Sequence, residues 1–364
     1  MVEAEHLLWT ILTLNGLNFF NYRIGPVKKC LRVFYMIGFS ISLLYFTALE
    51  LYFIKRNIDK ESIANSLLVI YSGIMWFLSY SNKKDISYVT LQIYKQRQHY
   101  KNPNKTVAYM VIAFIISMLL LFGASCILKL TLDFENFDVS QFTYGFEIQN
   151  DIWKRVFILY FEFANFAFFT AFPLYLTLFI CVLFYRCSEV LKGYNINLRT
   201  QLRRNVTEIL PKCIMFFYMV KLLRKLTKSF RNLSFFVILY NLHQIISIII
   251  SIDPVAMSEM KVIHIIHVGY YGTCSIVMIA VFTMSSSKIP ENFVEIKTTV
   301  RYFISTYSFK RFIPKQTLFH LKRIENEDTV YITVCDMFHV TRGYILSSLG
   351  LMLTYGLLII NFKL

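Results

Sequence analysis

TRGYILSSLGLMLTYGLLIINF, residues 341–362, holds one charge, Arg342, in its first turn and is otherwise apolar or small. At 1.5 Å per residue it makes a helix of about 33 Å, enough to cross a hydrocarbon layer of about 30 Å. Gly343, Ser347, Gly350, Thr354 and Asn361 recur at offsets 0, 4, 7, 11 and 18, so they form one small or polar stripe along this helix. In lipid such a stripe faces protein or water. Close packing on a neighbouring helix through small residues is one reading, and a water-filled pore is the other. Spacing alone leaves both open.

Six more segments of the same kind precede it, at about 33–54, 62–81, 107–128, 156–184, 230–252 and 262–285. The whole chain of 364 residues is 56% hydrophobic and only 16% charged. Soluble domains run near 45–50% apolar and about 25% charged, so a soluble globular protein is excluded. The net charge of +16 then reports topology before it reports any anionic partner, and no nucleic acid is expected. Between alternate spans, one side collects 30 of the 38 Lys and Arg and the other 8. Lys and Arg accumulate on the cytoplasmic side, so the bias predicts a cytoplasmic N-terminus and an extracellular C-terminus. Sequons at Asn104, Asn205 and Asn232 fall on the cytoplasmic side or its membrane edge.

The expected fold is therefore all-α, a polytopic membrane protein of seven transmembrane helices. Residues 6–20 (HLLWTILTLNGLNFF) are short and carry Asn15, Gly16 and Asn18, which predicts an interfacial helix on the inner leaflet rather than an eighth span. Glu3 and Glu5 replace the basic start of a leader peptide, and no cleaved signal is expected. Seven scattered Cys without a CxxC pair give neither a disulfide framework nor a zinc site. Between Pro211 and Pro254 there is neither Pro nor Gly, which permits one helix far longer than the bilayer is thick. Its inner half repeats Val220, Leu223, Leu226, Phe230 and Leu233 between basic residues, an apolar face that needs partner helices.

With these residues in view, the chain resembles the insect gustatory receptor family. Thr354-Tyr355-Gly356-Leu357-Leu358-Ile359-Ile360-Asn361-Phe362 is similar to the family's closing signature of Thr-Tyr, five mostly apolar residues and Gln-Phe, with Asn361 in the Gln position. The run Phe338 to Ser348 resembles the family's approach to its last helix. The resemblance implies a tetrameric, ligand-gated, non-selective cation channel in the plasma membrane of sensory neurons, related in fold to insect olfactory receptors. It implies a pore lined by the last helix of each subunit, with Asn361 and Phe362 as gate and Thr354 and Tyr355 as their support. It also implies a cytoplasmic anchor and one small-molecule (tastant) pocket per subunit, in a homotetramer or in a heterotetramer with related subunits. Gly356 stands where sugar-type members resemble Thr-Tyr-Glu, which favours a bitter or other non-sugar ligand.

The implied partition is a cytoplasmic segment 1–32 with the interfacial helix, a six-helix ligand-sensing bundle 33–285 with long cytoplasmic loops 82–106 and 185–229, an anchor 286–340 and the pore helix 341–364. Ionisable groups within spans are candidates for function. Glu50 lies near a span end and reads as snorkelling or pairing with Lys55 or Arg56. Glu162 is deeper, and Asn165 and Phe169 follow it at offsets 3 and 7 in a span interrupted by Pro173. Tyr240, His243, Gln244, His264, His267, Tyr270 and Tyr271 sit on the outer halves of the next two spans. Together they offer an aromatic wall with polar groups, as an organic ligand needs, and they serve equally as interhelical hydrogen bonds. The His264 to His267 pair is too few ligands for a structural metal, and no metal or cofactor is expected.

A G-protein-coupled receptor would need the reverse orientation and lacks here its D-R-Y and N-P-x-x-Y signatures. A transporter would show paired interrupted helices or repeats, which are not found. An enzyme is the least supported class, since no phosphate loop, HExxH or paired catalytic carboxylates occur.

Overall fold

The computed structural model describes residues 2–14, 17, 26–56, 60–98, 105–132, 143, 148, 150–204, 209–251, 262–307, 313–343, 347, 350 and 354, with some side chains within these helices excepted. Ten α-helices occur among them: α1 (Val2–Leu14), α2 (Pro26–Arg56), α3 (Lys60–Ser81), α4 (Lys83–Gln98), α5 (Lys105–Leu132), α6 (Asp151–Ala164), α7 (Phe172–Arg204), α8 (Leu210–Ser251), α9 (Val262–Tyr307) and α10 (Lys315–Asn326). A π-helical stretch, Asn165–Ala171, joins α6 to α7, and a short antiparallel hairpin pairs β1 (Thr333–Val334) with β2 (Phe338–His339).

Each of the first six expected spans falls on a continuous helical run, the fifth as far as Ser251, where α8 ends. Among the described residues, three helices are long and apolar enough to cross a membrane, at Val107–Ile127, Asp151–Arg203 and Gly269–Thr306, and shorter apolar helices run over Met36–Leu49 and Ser66–Ser81. α5 is apolar all round, with Met110, Leu119, Leu120 and Ile127 exposed on one side and Val111, Ile115 and Met118 buried on the other. A helix apolar on every face belongs in a nonpolar medium. α2 and α6 present similar outward faces through Phe34, Leu44, Ile152 and Trp153.

α8 is a single helix of 42 residues, as the absence of Pro and Gly allows. Val220, Leu223, Leu226, Phe230 and Leu233 are all buried. α8 packs against α3, α4, α7, α9 and α10, and Phe230 meets Phe184 of α7 edge-on at 5.8 Å. Burying such side chains is favourable by about 1.5–3 kcal/mol each, which explains why the helices continue past the apolar layer. The segments 82–106 and 185–229, expected as loops, are thus mainly helix: α4 fills the first, while the end of α7 and the start of α8 fill the second. α9 likewise runs 46 residues through Pro290.

α1 is helical as anticipated, but it docks on protein. Leu8, Trp9 and Leu12 are buried against the bundle, and Trp9 meets Tyr94 of α4 edge-on at 4.7 Å. The helix expected on the inner leaflet is thus packed against α5, α7 and α2, with Tyr94 of α4 at its edge. None of the seven cysteines is joined in a disulfide, and burial pushes the Cys213 thiol at the base of α8 up to about 11.

Candidate functional site: a buried polar cluster and the last helix

Only two charged side chains are buried among the described residues, Glu162 and Arg186. Glu162 closes α6 directly before the π-helical stretch and accepts from the Ser125 hydroxyl of α5 at 3.4 Å. Tyr271 of α9 lies within electrostatic range of Glu162, Tyr240 and Tyr270. Tyr270 donates to Ser117 of α5 at 2.8 Å, and its ring meets Tyr271 edge-on at 5.8 Å. Gln244 donates to the Tyr240 hydroxyl at 3.1 Å. The structure therefore gathers Glu162, Tyr240, Gln244, Tyr270 and Tyr271 from α6, α8 and α9, with Ser117 and Ser125 of α5 beside them.

Phe169 is buried in the same region, packed edge-on against Phe46 at 4.8 Å. Asn165 does not join it: it opens the π-helical stretch and its side chain is exposed. The His243 ring lies 5.7 Å from Tyr71 of α3. The side chains of Glu50, His264 and His267 lie outside the described residues.

The π-helical stretch gives Tyr240 a second role. The Phe172 N–H reaches back to the Ala167 carbonyl, and Pro173 has no N–H, so the Phe168 and Phe169 carbonyls lose their usual helical donors. Ser72 of α3 donates to the first at 2.6 Å and Tyr240 to the second at 2.8 Å. Tyr240 is thus a bracket across a helix break as well as a wall of the cluster.

Sequence reasoning missed Ser117 and Ser125, although they are the only serines in the apolar run Val107–Ile127. It also missed Asn241 and Ser275, whose buried oxygens find no hydrogen-bond partner among the described residues. Such oxygens call for water or a ligand donor. Chemically the cluster offers acceptors and phenols in an apolar setting, suited to holding a small organic molecule. No group of three or more His, Cys, Asp or Glu is placed to hold a metal among the described residues.

Of the last helix, Gly343, Ser347, Gly350 and Thr354 are described, and all four are exposed. Ser347 and Thr354 donate to the carbonyls one turn back, of Gly343 at 3.3 Å and Gly350 at 2.9 Å. A Cβ built on Gly350 would meet nothing within 4 Å. Within one chain, then, the described stripe is not a close-packing seam against another helix. Tyr355, Asn361 and Phe362 lie outside the described residues.

No protein-family model matches the chain, and no curated protein resembles it in sequence. Solved structures do resemble it in fold. The insect olfactory receptor OR5 from Machilis hrabei superposes with a TM-score of 0.72 at 12% identity, covering 99% of this chain and 100% of that one. The same receptor in complex with eugenol gives a TM-score of 0.74 at 12% identity, over 99% of this chain and 98% of that one.

Proposed function

We propose that the protein is an insect chemoreceptor acting as a ligand-gated cation channel, of the gustatory kind and with a non-sugar ligand. The observation that carries this reading is the olfactory-receptor fold over 99% of the chain, at an identity too low to reflect more than architecture. The exposed stripe on the last helix supports it, since a face left bare within one chain suits the centre of a tetramer. The closing Thr354-Tyr355 and Asn361-Phe362 pairs support the gustatory assignment, with Asn361 and Phe362 as a gate that opens by wetting an apolar constriction. Gly356 supports a non-sugar ligand. The ligand is a small organic molecule held by the cluster around Glu162, Tyr270 and Tyr271, as eugenol is held by the olfactory receptor of like fold. The protein acts in the plasma membrane of sensory neurons, as a homotetramer or with related subunits.

Orientation tests this reading against a G-protein-coupled receptor. In insect cells, an N-glycosidase is expected to cause no mobility shift of the wild-type chain, because Asn104, Asn205 and Asn232 face the cytoplasm. A sequon engineered into residues 133–150 is expected to be glycosylated. A shift arising from Asn104 or Asn205 would place those segments outside and overturn the channel reading.

A further inference from the structure

The stretch from Glu327 to Arg342 leads from α10 into the last helix, and it climbs along one face of α8. Glu327 receives Arg224 at 2.6 Å, the Tyr331 carbonyl receives Thr227 at 3.4 Å, and Asp336 receives Arg231, whose own carbonyl accepts from the Cys335 N–H at 3.4 Å. Arg224, Thr227 and Arg231 stand at offsets 0, 3 and 7, a single helix face. Lys297 of α9 donates to the Glu327 carbonyl at 2.7 Å, and Arg342, in the first turn of the last helix, pairs with Glu291 of α9 at 2.6 Å.

At the tip of this strap, Cys335 and Asp336 both have left-handed backbone, with φ of 49° and 57°. A hairpin turn of this kind favours Asn-Gly, and other residues hold it only where their surroundings impose it. Here the imposing contacts are those to Arg231, together with the Thr333 hydroxyl on Asp336 at 3.4 Å. The inward side of the strap is anchored by buried Ile332, Val334 and Val340. Its outward side rests on the pairs Arg231–Asp336 and Arg342–Glu291, whose members are all 38% or more exposed. Exposed pairs shift an equilibrium only a few-fold each, so the tip is held by contacts weak enough to release.

We propose that this strap is the coupling element between α8 and the last helix, with Arg231–Asp336 as its release point. Arg231 lies nine residues, about 14 Å of helix, below Tyr240. A ligand that displaces Tyr240 or Gln244 shifts α8 as a rod, and the strap passes that shift to the base of the last helix. The gating half of this inference rests on the proposed channel, while the mechanical half does not.

The test uses the full chain in membranes, with Arg231→Glu, Asp336→Arg and the charge swap Arg231→Glu/Asp336→Arg. Two thiol-labelling rates are read by peptide mass spectrometry: that of Cys335, which reports the tip, and that of position 347 in a Ser347→Cys background, which reports the last helix. Ligand-free current is recorded alongside. Each single reversal is expected to raise Cys335 labelling about threefold or more and to change labelling at position 347 by a similar factor, and the swap is expected to restore both. Cys335 labelling that ignores the single reversals, or a freed tip with position 347 unchanged, would overturn the strap. Labelling that behaves as expected while every variant and the wild type pass no current, with or without a panel of small organic stimuli, would uphold the strap and sink the channel reading instead.

Discussion

Tyr240→Phe is expected to lower the stability of the solubilised protein by about 2 kcal/mol, the cost of leaving a buried polar group without its partner. The ring stays, so the packing of this fully buried residue is preserved, and only the hydroxyl is lost. That hydroxyl donates to the Phe169 carbonyl at 2.8 Å, where Pro173 withholds the helical N–H. Pro173→Ala supplies an N–H at that place, so the two changes are coupled. In the Pro173→Ala background, Tyr240→Phe is expected to cost at least about 1 kcal/mol less, a coupling within the range for groups that share a partner. Thermal melts of the four proteins in one detergent measure it. Equal cost in both backgrounds would show that Tyr240 does not replace the missing helical donor.

Glu189→Ala is the second change with a large expected effect. The Arg186 guanidinium is wholly buried and donates to Glu189 at 2.6 Å, and Arg97 of α4 approaches the same oxygen at 3.8 Å. Removing the carboxylate leaves a buried positive charge without its counter-ion, which costs about 3–5 kcal/mol in comparable sites. Glu189 is itself 22% exposed, so the lower end of that range is expected here. Arg186→Met/Glu189→Leu removes both charges and is expected to melt within about 1 kcal/mol of wild type, since apolar replacement of a buried pair is often neutral. A double variant as unstable as Glu189→Ala would show that Arg186 serves the fold through something other than this carboxylate.

The helical plan was legible because each cue had one physical meaning. The absence of Pro and Gly between Pro211 and Pro254 fixed the length of α8, and the three-and-four repeat from Val220 to Leu233 named its buried face. The same logic extended to the neighbours would have shown that residues 83–98 and the stretch after Arg186 are amphipathic helices rather than loops. The hairpin 333–339 was not legible: Cys335 and Asp336 adopt left-handed backbone without the Asn-Gly signal, because contacts to Arg231 from far along the chain impose it. The π-helical stretch escaped for a related reason. Pro173 announced a break, but whether the helix bends or widens depends on donors from Ser72 and Tyr240, about 100 and 70 residues away.

At the candidate site, Glu162 was legible because a carboxylate within a span is costly and therefore placed with purpose. Tyr270 and Tyr271 followed from depth and polarity. Asn165 did not, since its fate turned on the π-helical register that begins at that residue. The stripe on the last helix was readable from spacing, but not whether it packs or lines water; its four described members, Gly343, Ser347, Gly350 and Thr354, are exposed within one chain.

Conduction by the purified protein in a planar bilayer separates a channel from a G-protein-coupled receptor, because no G protein or other receptor is then present. With sodium on one side and potassium on the other at equal concentration, discrete unitary currents that reverse near 0 mV are expected, as a non-selective cation pore requires. A folded, correctly inserted protein that gives no unitary events across a panel of small organic stimuli would contradict the channel reading.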